Sequence, residues 1–218
     1  MDRWFDGVYL VGRYTWLQTG VWLLAHRGEA ALLELPPASL GGANLGPDPA
    51  ADAADAAREL GVDVRFILCT HAHHDHFSPH TFGAMRDRFP RAEPVLQRGF
   101  RDRLGDAPNV RYFDDGATLS VGGEPLHLVH APKHSHTDTM VIFRGAACTG
   151  DWELNTVRTV NERVPVETRL RSCARMIDFA EHTGYRVHRV YSAHANDRRE
   201  PVDFPALMAD TRADRKLW

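Results

Sequence analysis

The sequence predicts a layered fold of mixed strands and helices, α/β or α+β, and three observations predict it. Short β-prone apolar runs alternate along the chain with stretches of helical period. No repeat, low-complexity tract or linker divides the 218 residues, so residues 1–218 are expected to form one domain. A hydrophobic content of 43% with 25% charged residues suits a packed globular chain rather than a disordered or fibrous one.

Val8–Val11, Val21–Ala25 and Ala30–Leu35 are β-prone runs separated by glycine-containing turns, and they read as a strand meander. The Gly- and Pro-rich stretch Pro36–Pro49 reads as a loop. Ala50–Leu60 carries its charges on one side and stops at Gly61, which predicts a helix with a glycine end. Val64–Cys69 is a compact apolar run suited to a buried strand. Ser78-Pro79 supplies an N-cap and a first-turn proline for a helix reaching about Phe89, before Pro90. Glu93–Gln97, Val110–Phe113, Ala117–Val121, Leu126–His130, Thr139–Phe143 and Ala146–Thr149 follow as strands. Val166–His182 places Leu170, Met176, Ile177 and Ala180 at helical spacing and closes at Gly184. Arg189–Ser192 is a last short strand and Pro205–Leu217 a terminal helix.

Composition excludes several functions. A formal net charge of −3 offers no basic field to gather nucleic acid. Three cysteines, Cys69, Cys148 and Cys173, form no C-x-x-C pair, which argues against a disulfide scaffold or a thiolate zinc site and for a reducing compartment. No basic head precedes an apolar run at the N-terminus, and nowhere do 18 apolar residues run together, so a cytoplasmic chain without a membrane span is expected.

Histidine is the departure. Of 13 in the chain, His71, His73, His74, His76 and His80 fall in one ten-residue window and His127, His130, His134 and His136 in another. The first window, Thr70-His71-Ala72-His73-His74-Asp75-His76, leaves the end of a predicted strand, where side chains can converge instead of alternating faces. Imidazole and carboxylate suit zinc, iron or manganese, and four or five such groups in six residues exceed what one ion takes from one loop. Two ions are therefore expected, with further ligands from elsewhere. Three later segments at strand ends offer them: Pro132-Lys133-His134-Ser135-His136, Thr149-Gly150-Asp151 and Ala193-His194.

The run His71-Ala72-His73-His74-Asp75-His76 resembles the H-x-H-x-D-H signature of the metallo-β-lactamase superfamily, and Pro132–His134, Thr149–Asp151 and Ala193–His194 follow in that family's order. The likeness extends from the N-terminal meander to His194. It implies a four-layer αββα sandwich with two divalent metal ions at one edge, zinc first, with iron or manganese also accommodated. One ion would be held by His71, His73 and His134, the other by Asp75, His76 and His194, with Asp151 bridging. His134 is preferred to His136 because it directly follows the Pro-x pair, which leaves His136 beside the ligands or facing substrate. His74, His80, His127 and His130 are read as scaffold.

A water shared by two dications loses its proton near neutral pH, giving a hydroxide that attacks a carbonyl or phosphoryl centre. Asp75 would ligate one metal and orient the hydroxide. Cys69 is read as strand core. The chain departs from many relatives at Phe77-Ser78, at Lys133 and at Glu34-Leu35-Pro36, where glycines or Asp-Thr-Gly are usual, and around His194, which lacks flanking glycines. These changes spare the ligands and alter the loops. Lys133, one of two lysines against 24 arginines, adjoins a ligand and is a candidate contact for a substrate carboxylate or phosphate. Trp152, Asn155 and Arg158 are further pocket candidates.

The expected function is a dinuclear-metal hydrolase of a small ester, thioester or lactone, resembling glyoxalase II among the family's small members. Phosphodiesterase activity and iron-dependent oxygenase chemistry on the same fold are the alternatives. A flavodoxin partner domain finds no room in 218 residues, and a small-molecule substrate is expected rather than nucleic acid or membrane. Oligomeric state is not legible.

Overall fold

The computed structural model describes residues 1–38, 47–158 and 163–214. A meander of β1 (Asp2–Phe5), β2 (Val8–Tyr14), β3 (Thr19–His26) and β4 (Glu29–Leu33) opens it, each strand antiparallel to its predecessor. α1 (Pro49–Leu60) leads to β5 (Asp63–Leu68), α2 (Pro79–Arg88) to β6 (Glu93–Gln97), and the short α3 (Arg101–Leu104) to β7 (Arg111–Phe113). These three strands add in parallel beyond β4, giving a seven-stranded sheet in sequence order.

The second sheet holds β8 (Gly116–Val121), β9 (Glu124–His130), β10 (Thr139–Phe143), β11 (Ala146–Cys148), β12 (Arg189–Tyr191) and β13 (Arg198–Arg199), in spatial order β13-β12-β11-β10-β9-β8. α4 (Val166–Thr183) connects β11 to β12, and α5 (Phe204–Ala213) follows β13. β9 and β11 both run antiparallel to β10, and β12 is parallel to β11. β9, β11 and β12 therefore finish at the same end of the sheet. That shared edge carries the site.

The layers follow from which faces are apolar. β3 is buried along almost its whole length because both of its faces are covered. The usual alternation of buried and exposed residues is replaced by two inward sets: Trp22 and Leu24 join Leu33, Leu68, Leu126, Leu128 and Val141 between the sheets. Val21, Leu23 and Ala25 turn the other way, onto Ala50, Ala53 and Ala57 of α1 and Phe82 and Met85 of α2. The outer face of the second sheet, Val129, Met140, Ile142 and Val190, packs on Cys173 and Met176 of α4 and on Phe204 and Met208 of α5. The result is helices, sheet, sheet, helices, the αββα arrangement. Each leucine in these layers contributes about 1.5–3 kcal/mol by leaving water, so no strand of the central pair gains by turning a face to solvent.

Local signals match their elements. Asp48 accepts the Ala50 N–H at 2.9 Å and Gly61, at φ 64°, ends α1. The Ser78 hydroxyl accepts the Thr81 N–H at 3.3 Å, ahead of α2. Three elements escape sequence reading: β1, whose first residues are exposed at a sheet edge, the turn and α3 at 98–104, and the two-residue β13. The predicted strand Ala30–Leu35 stops at Leu33, because Glu34 turns to φ 76° and Leu35 pairs with Phe77 instead. The predicted terminal helix stops at Ala213; residues 215–218 lie outside the described residues, as do 39–46 of the loop at Pro36–Pro49. Among the described residues no helix is long and apolar enough to cross a membrane.

Candidate metal centre

Four strand ends deliver the site. After β5 the chain turns tightly, with the N–H groups of His76 and Phe77 both donating to the His73 carbonyl at 3.0 and 2.8 Å, so that His71, His73, Asp75 and His76 are drawn together. After β9, Asp138 Oδ2 accepts the backbone N–H groups of Lys133, His134 and Ser135 at 2.8, 2.6 and 2.9 Å. This buried carboxylate closes the 133–138 loop around itself and thereby aims His134; burial pushes its carboxyl up to about 6 although the three N–H groups pull it down. After β11, Gly150 takes φ 58°, and a Cβ there would meet the Thr70 side chain at 3.3 Å, so the turn that presents Asp151 needs glycine. After β12, the Ala193 N–H donates to the Gly150 carbonyl at 3.1 Å and the Gly20 N–H to the Ala193 carbonyl at 2.8 Å, which fastens the His194 loop to both sheets.

Two donor sets result. His71, His73 and His134 bring their ring nitrogens together, as do Asp75, His76, Asp151 and His194 their nitrogens and carboxylate oxygens, with all donor atoms of a set within 4.8 Å of one another. His134 Nε2 lies 3.1 Å from His73 Nδ1. Asp151 Oδ2 belongs to both neighbourhoods: it is 3.1 Å from His194 Nε2, 3.2 Å from His76 Nε2, 3.6 Å from His134 Nε2 and 3.9 Å from His71 Nε2. Asp75 Oδ2 lies 3.3 Å from His76 Nε2 and 3.7 Å from His194 Nε2.

The donors fit cations better than they fit one another. Among the described residues, His71 Nε2, His76 Nε2 and Asp151 Oδ1 are buried without a hydrogen-bond partner, an arrangement a protein rarely leaves unsatisfied. Five imidazoles and two carboxylates gathered in two adjoining donor sets is the chemistry of zinc, iron or manganese. The electrostatics agree. Burial would raise the Asp151 carboxyl, but His76, His194 and His71 outweigh it and hold it far below the usual carboxylate range. Burial, reinforced by the neighbouring His76, drives His71 well below the ordinary histidine value.

No protein-family model matches the chain. Among curated proteins it is similar to a hydroxyacylglutathione hydrolase of Aeromonas hydrophila, 26% identical over 133 residues, covering 60% of this chain and 45% of that protein. The chain thus matches less than half the length of that relative. Among solved structures it is similar to a metallo-β-lactamase family protein of Thermus thermophilus, with a TM-score of 0.61, 20% identity and coverage of 96% of this chain and 79% of that one. ETHE1 of Myxococcus xanthus gives a TM-score of 0.63 at 18% identity, covering 89% and 81%. The chain has the metallo-β-lactamase fold. A further structure with this fold, the metallo-β-lactamase MIM-1 of Novosphingobium pentaromativorans, gives 0.63 at 17% identity over 88% and 75%.

Behind the metallo-β-lactamase-fold cluster stands a second layer of polar groups. Glu34, absent from the sequence-based candidates, has no exposed surface and reaches the Nδ1 atom of His76 at 3.3 Å. The Thr70 hydroxyl lies 3.0 Å from His71 Nδ1, and that of Thr19 3.4 Å from His194 Nδ1. Glu153 Oε1 stands 3.8 Å from His134 Nδ1. Only Glu34 had a sequence signal, its place at the strand end where the chain departs from the Asp-Thr-Gly that the family resemblance leads one to expect; the others emerge from packing.

The substrate-contact candidates fare differently. The structure corrects the reading of Lys133: its side chain is fully buried, and its ammonium donates to Glu153 Oε2 at 2.9 Å and to the Arg158 carbonyl at 3.1 Å. A cation so enclosed is a structural partner, because an incoming anion would have to displace a carboxylate it already holds. Trp152 is also buried and donates its indole N–H to the Ala131 carbonyl at 3.1 Å. Asn155 is exposed, with its backbone N–H given to the Thr211 hydroxyl. His136 is exposed two residues past His134. Of the scaffold histidines, His127 packs against the rings of Phe179 and Tyr185, and His130 donates to the His136 carbonyl at 2.9 Å. Cys69 is buried as expected, with its thiol turned to Glu34.

Proposed function

We propose that this chain is a metal-dependent hydrolase that attacks the carbonyl of a small ester, thioester or lactone, using two divalent ions, zinc first. The observation that carries the reading is the position of Asp151 Oδ2, within 3.1 to 3.9 Å of imidazole nitrogens from both donor sets, where a carboxylate bridging two ions belongs. The curated relative's name, a hydrolase of hydroxyacylglutathione, supports an acyl substrate. When bound, the two ions would acidify water and polarise the carbonyl under attack. His71, His73 and His134 would hold one ion; Asp75, His76 and His194 the other.

The chain's own groups do the rest. Asp75 is held ionised, since His76 outweighs the burial that would raise it. Its carboxylate is thus placed to accept a hydrogen bond from the attacking water and to orient it. His136 and Asn155, both exposed, are the proposed substrate contacts, and the buried Trp152 packs beneath with Val129, Cys173 and Phe204. The nucleophile is water, so no serine or cysteine is required, and Cys69 stays a thiol because burial and Glu34 raise it well above its ordinary value.

Protein loaded in turn with zinc, manganese and iron is to be assayed on thioesters, lactones, aryl esters and bis(p-nitrophenyl) phosphate. Turnover of one of the carbonyl substrates, lost on chelation and restored by zinc, is expected. Turnover of the phosphodiester alone, or near-stoichiometric iron with oxygen uptake, would overturn the assignment.

A further inference from the structure

Glu34 occupies an unusual position. It is fully buried, and its backbone lies at φ 76°, a left-handed conformation that a residue with a long side chain rarely adopts. Such conformations persist where the surroundings over-determine them. What surrounds Glu34 is a set of donors. Oε1 accepts from the Thr70 hydroxyl at 2.5 Å and the Thr70 N–H at 3.3 Å, and Oε2 accepts from the Cys69 thiol and from His76 Nδ1, both at 3.3 Å.

The direction of each bond follows from the acceptor. A carboxylate only accepts, so His76 carries a proton on Nδ1. The Thr70 hydroxyl spends its single proton on Glu34, and can only accept from His71 Nδ1, 3.0 Å away. His71 therefore also carries its proton on Nδ1. In the neutral form of both rings, the form in which a histidine binds a metal, the bare nitrogen is then Nε2, and these two atoms are among the buried ones left without a partner. His71 belongs to one donor set and His76 to the other.

We infer that Glu34 is a positioning residue common to both metal sites: one carboxylate sets the tautomer of a ligand in each set, directly for His76 and through the Thr70 hydroxyl for His71. This rests on the two-metal reading above. It follows that the sites are not independent, since a single buried group prepares both, and that Thr70 acts on one of them alone. An amide at position 34 cannot do the same. With one acceptor and one NH2 group, it leaves His76 Nδ1 facing a donor or reverses the Thr70 hydroxyl, which then moves the His71 proton onto the nitrogen the metal needs.

The test is zinc and cobalt binding to metal-freed protein, followed by calorimetry against a competing chelator and by the cobalt absorption spectrum. The wild type is expected to take two ions per chain. E34Q is expected to weaken both binding steps by about 10–100-fold. T70V is expected to weaken one step by a similar factor and leave the other within about twofold, and T70S to restore it. Wild-type affinities in E34Q, with two ions bound, would overturn the inference. If E34Q fails to fold, judged by circular dichroism, T70V decides: equal weakening of both steps, or of neither, overturns it. A wild type that takes fewer than two ions would instead overturn the two-metal reading itself, an outcome distinguishable from two ions bound with E34Q unchanged.

Discussion

The ammonium of Lys133 and the carboxylate of Glu153 meet at 2.9 Å, with the lysine side chain wholly removed from solvent. The other oxygen of Glu153 stands 3.8 Å from Nδ1 of His134, so the carboxylate lies between a buried cation and a candidate ligand. Burial opposes the charges, lowering Lys133 and raising Glu153. His134 and Lys133 outweigh this at Glu153 and bring it down from 4.5 to about 2. Breaking a buried pair leaves a charge uncompensated, which costs about 3–5 kcal/mol for fully buried partners. Glu153 is one third exposed (34%), so E153Q is expected to cost less, about 2–3 kcal/mol, by urea denaturation of the metal-free protein. K133M/E153Q should be more stable than E153Q, and the opposite order would sink this account of the pair.

The same pair predicts a pH dependence. A carboxyl whose folded value is depressed contributes stability above its unfolded value, here about 4.5, and loses it as pH falls toward about 2. The stability difference between metal-free wild type and E153Q should therefore shrink as pH falls from about 4.5 to about 2. A difference that widened on acidification would contradict it.

Asp151 is predicted to be essential for the second ion. In D151N one carboxylate oxygen becomes an NH2 group, which cannot ligate, and bound metal should fall below two per chain while hydrolysis drops at least about 100-fold. Elemental analysis beside a kinetic assay checks both. Two ions retained with full activity would remove Asp151 from the bridge.

Asp138 anchors the His134 loop through three backbone N–H groups. D138A leaves those donors buried without an acceptor, each costing about 1–3 kcal/mol less whatever water supplies. A loss of about 3 kcal/mol is expected, with weakened binding at the three-histidine set. D138N keeps an acceptor oxygen and should lose less. Denaturation and zinc titration of the two variants report the ranking.

Gly150 sits at φ 58° with the Thr70 side chain 3.3 Å from where a Cβ would be. G150A should cost about 1–3 kcal/mol through backbone strain and displace the adjacent Asp151, so a lower melting temperature should come with weaker metal binding. An unchanged affinity would mean that the turn tolerates the shift.

Much of the candidate site was legible because histidine and aspartate donors gathered at strand ends leave a local trace. His71, His73, Asp75 and His76 stand within six residues, and the runs before His134, Asp151 and His194 are short β-prone strands. The helices were legible through their ends, Gly61 for α1 and Ser78 for α2, since caps are formed by near neighbours, whereas the Asp48 cap of α1 emerged only in the structure. Glu34 was legible only as a departure from the usual strand end. Its partners Thr70 and His76 lie 36 and 42 residues away, and no local pattern connects them.

Lys133 marks the boundary most clearly. By itself the sequence determined which histidines and aspartates form the candidate donor set, that they follow strands, and that strands and helices alternate in layers, because period, capping and donor spacing are local. Only the tertiary structure decided that Lys133 is enclosed by Glu153, that Asp151 lies between two donor sets, and that one buried carboxylate backs both. Those outcomes depend on which strand ends share an edge, and sheet order is set by packing between distant segments rather than by neighbours in the chain.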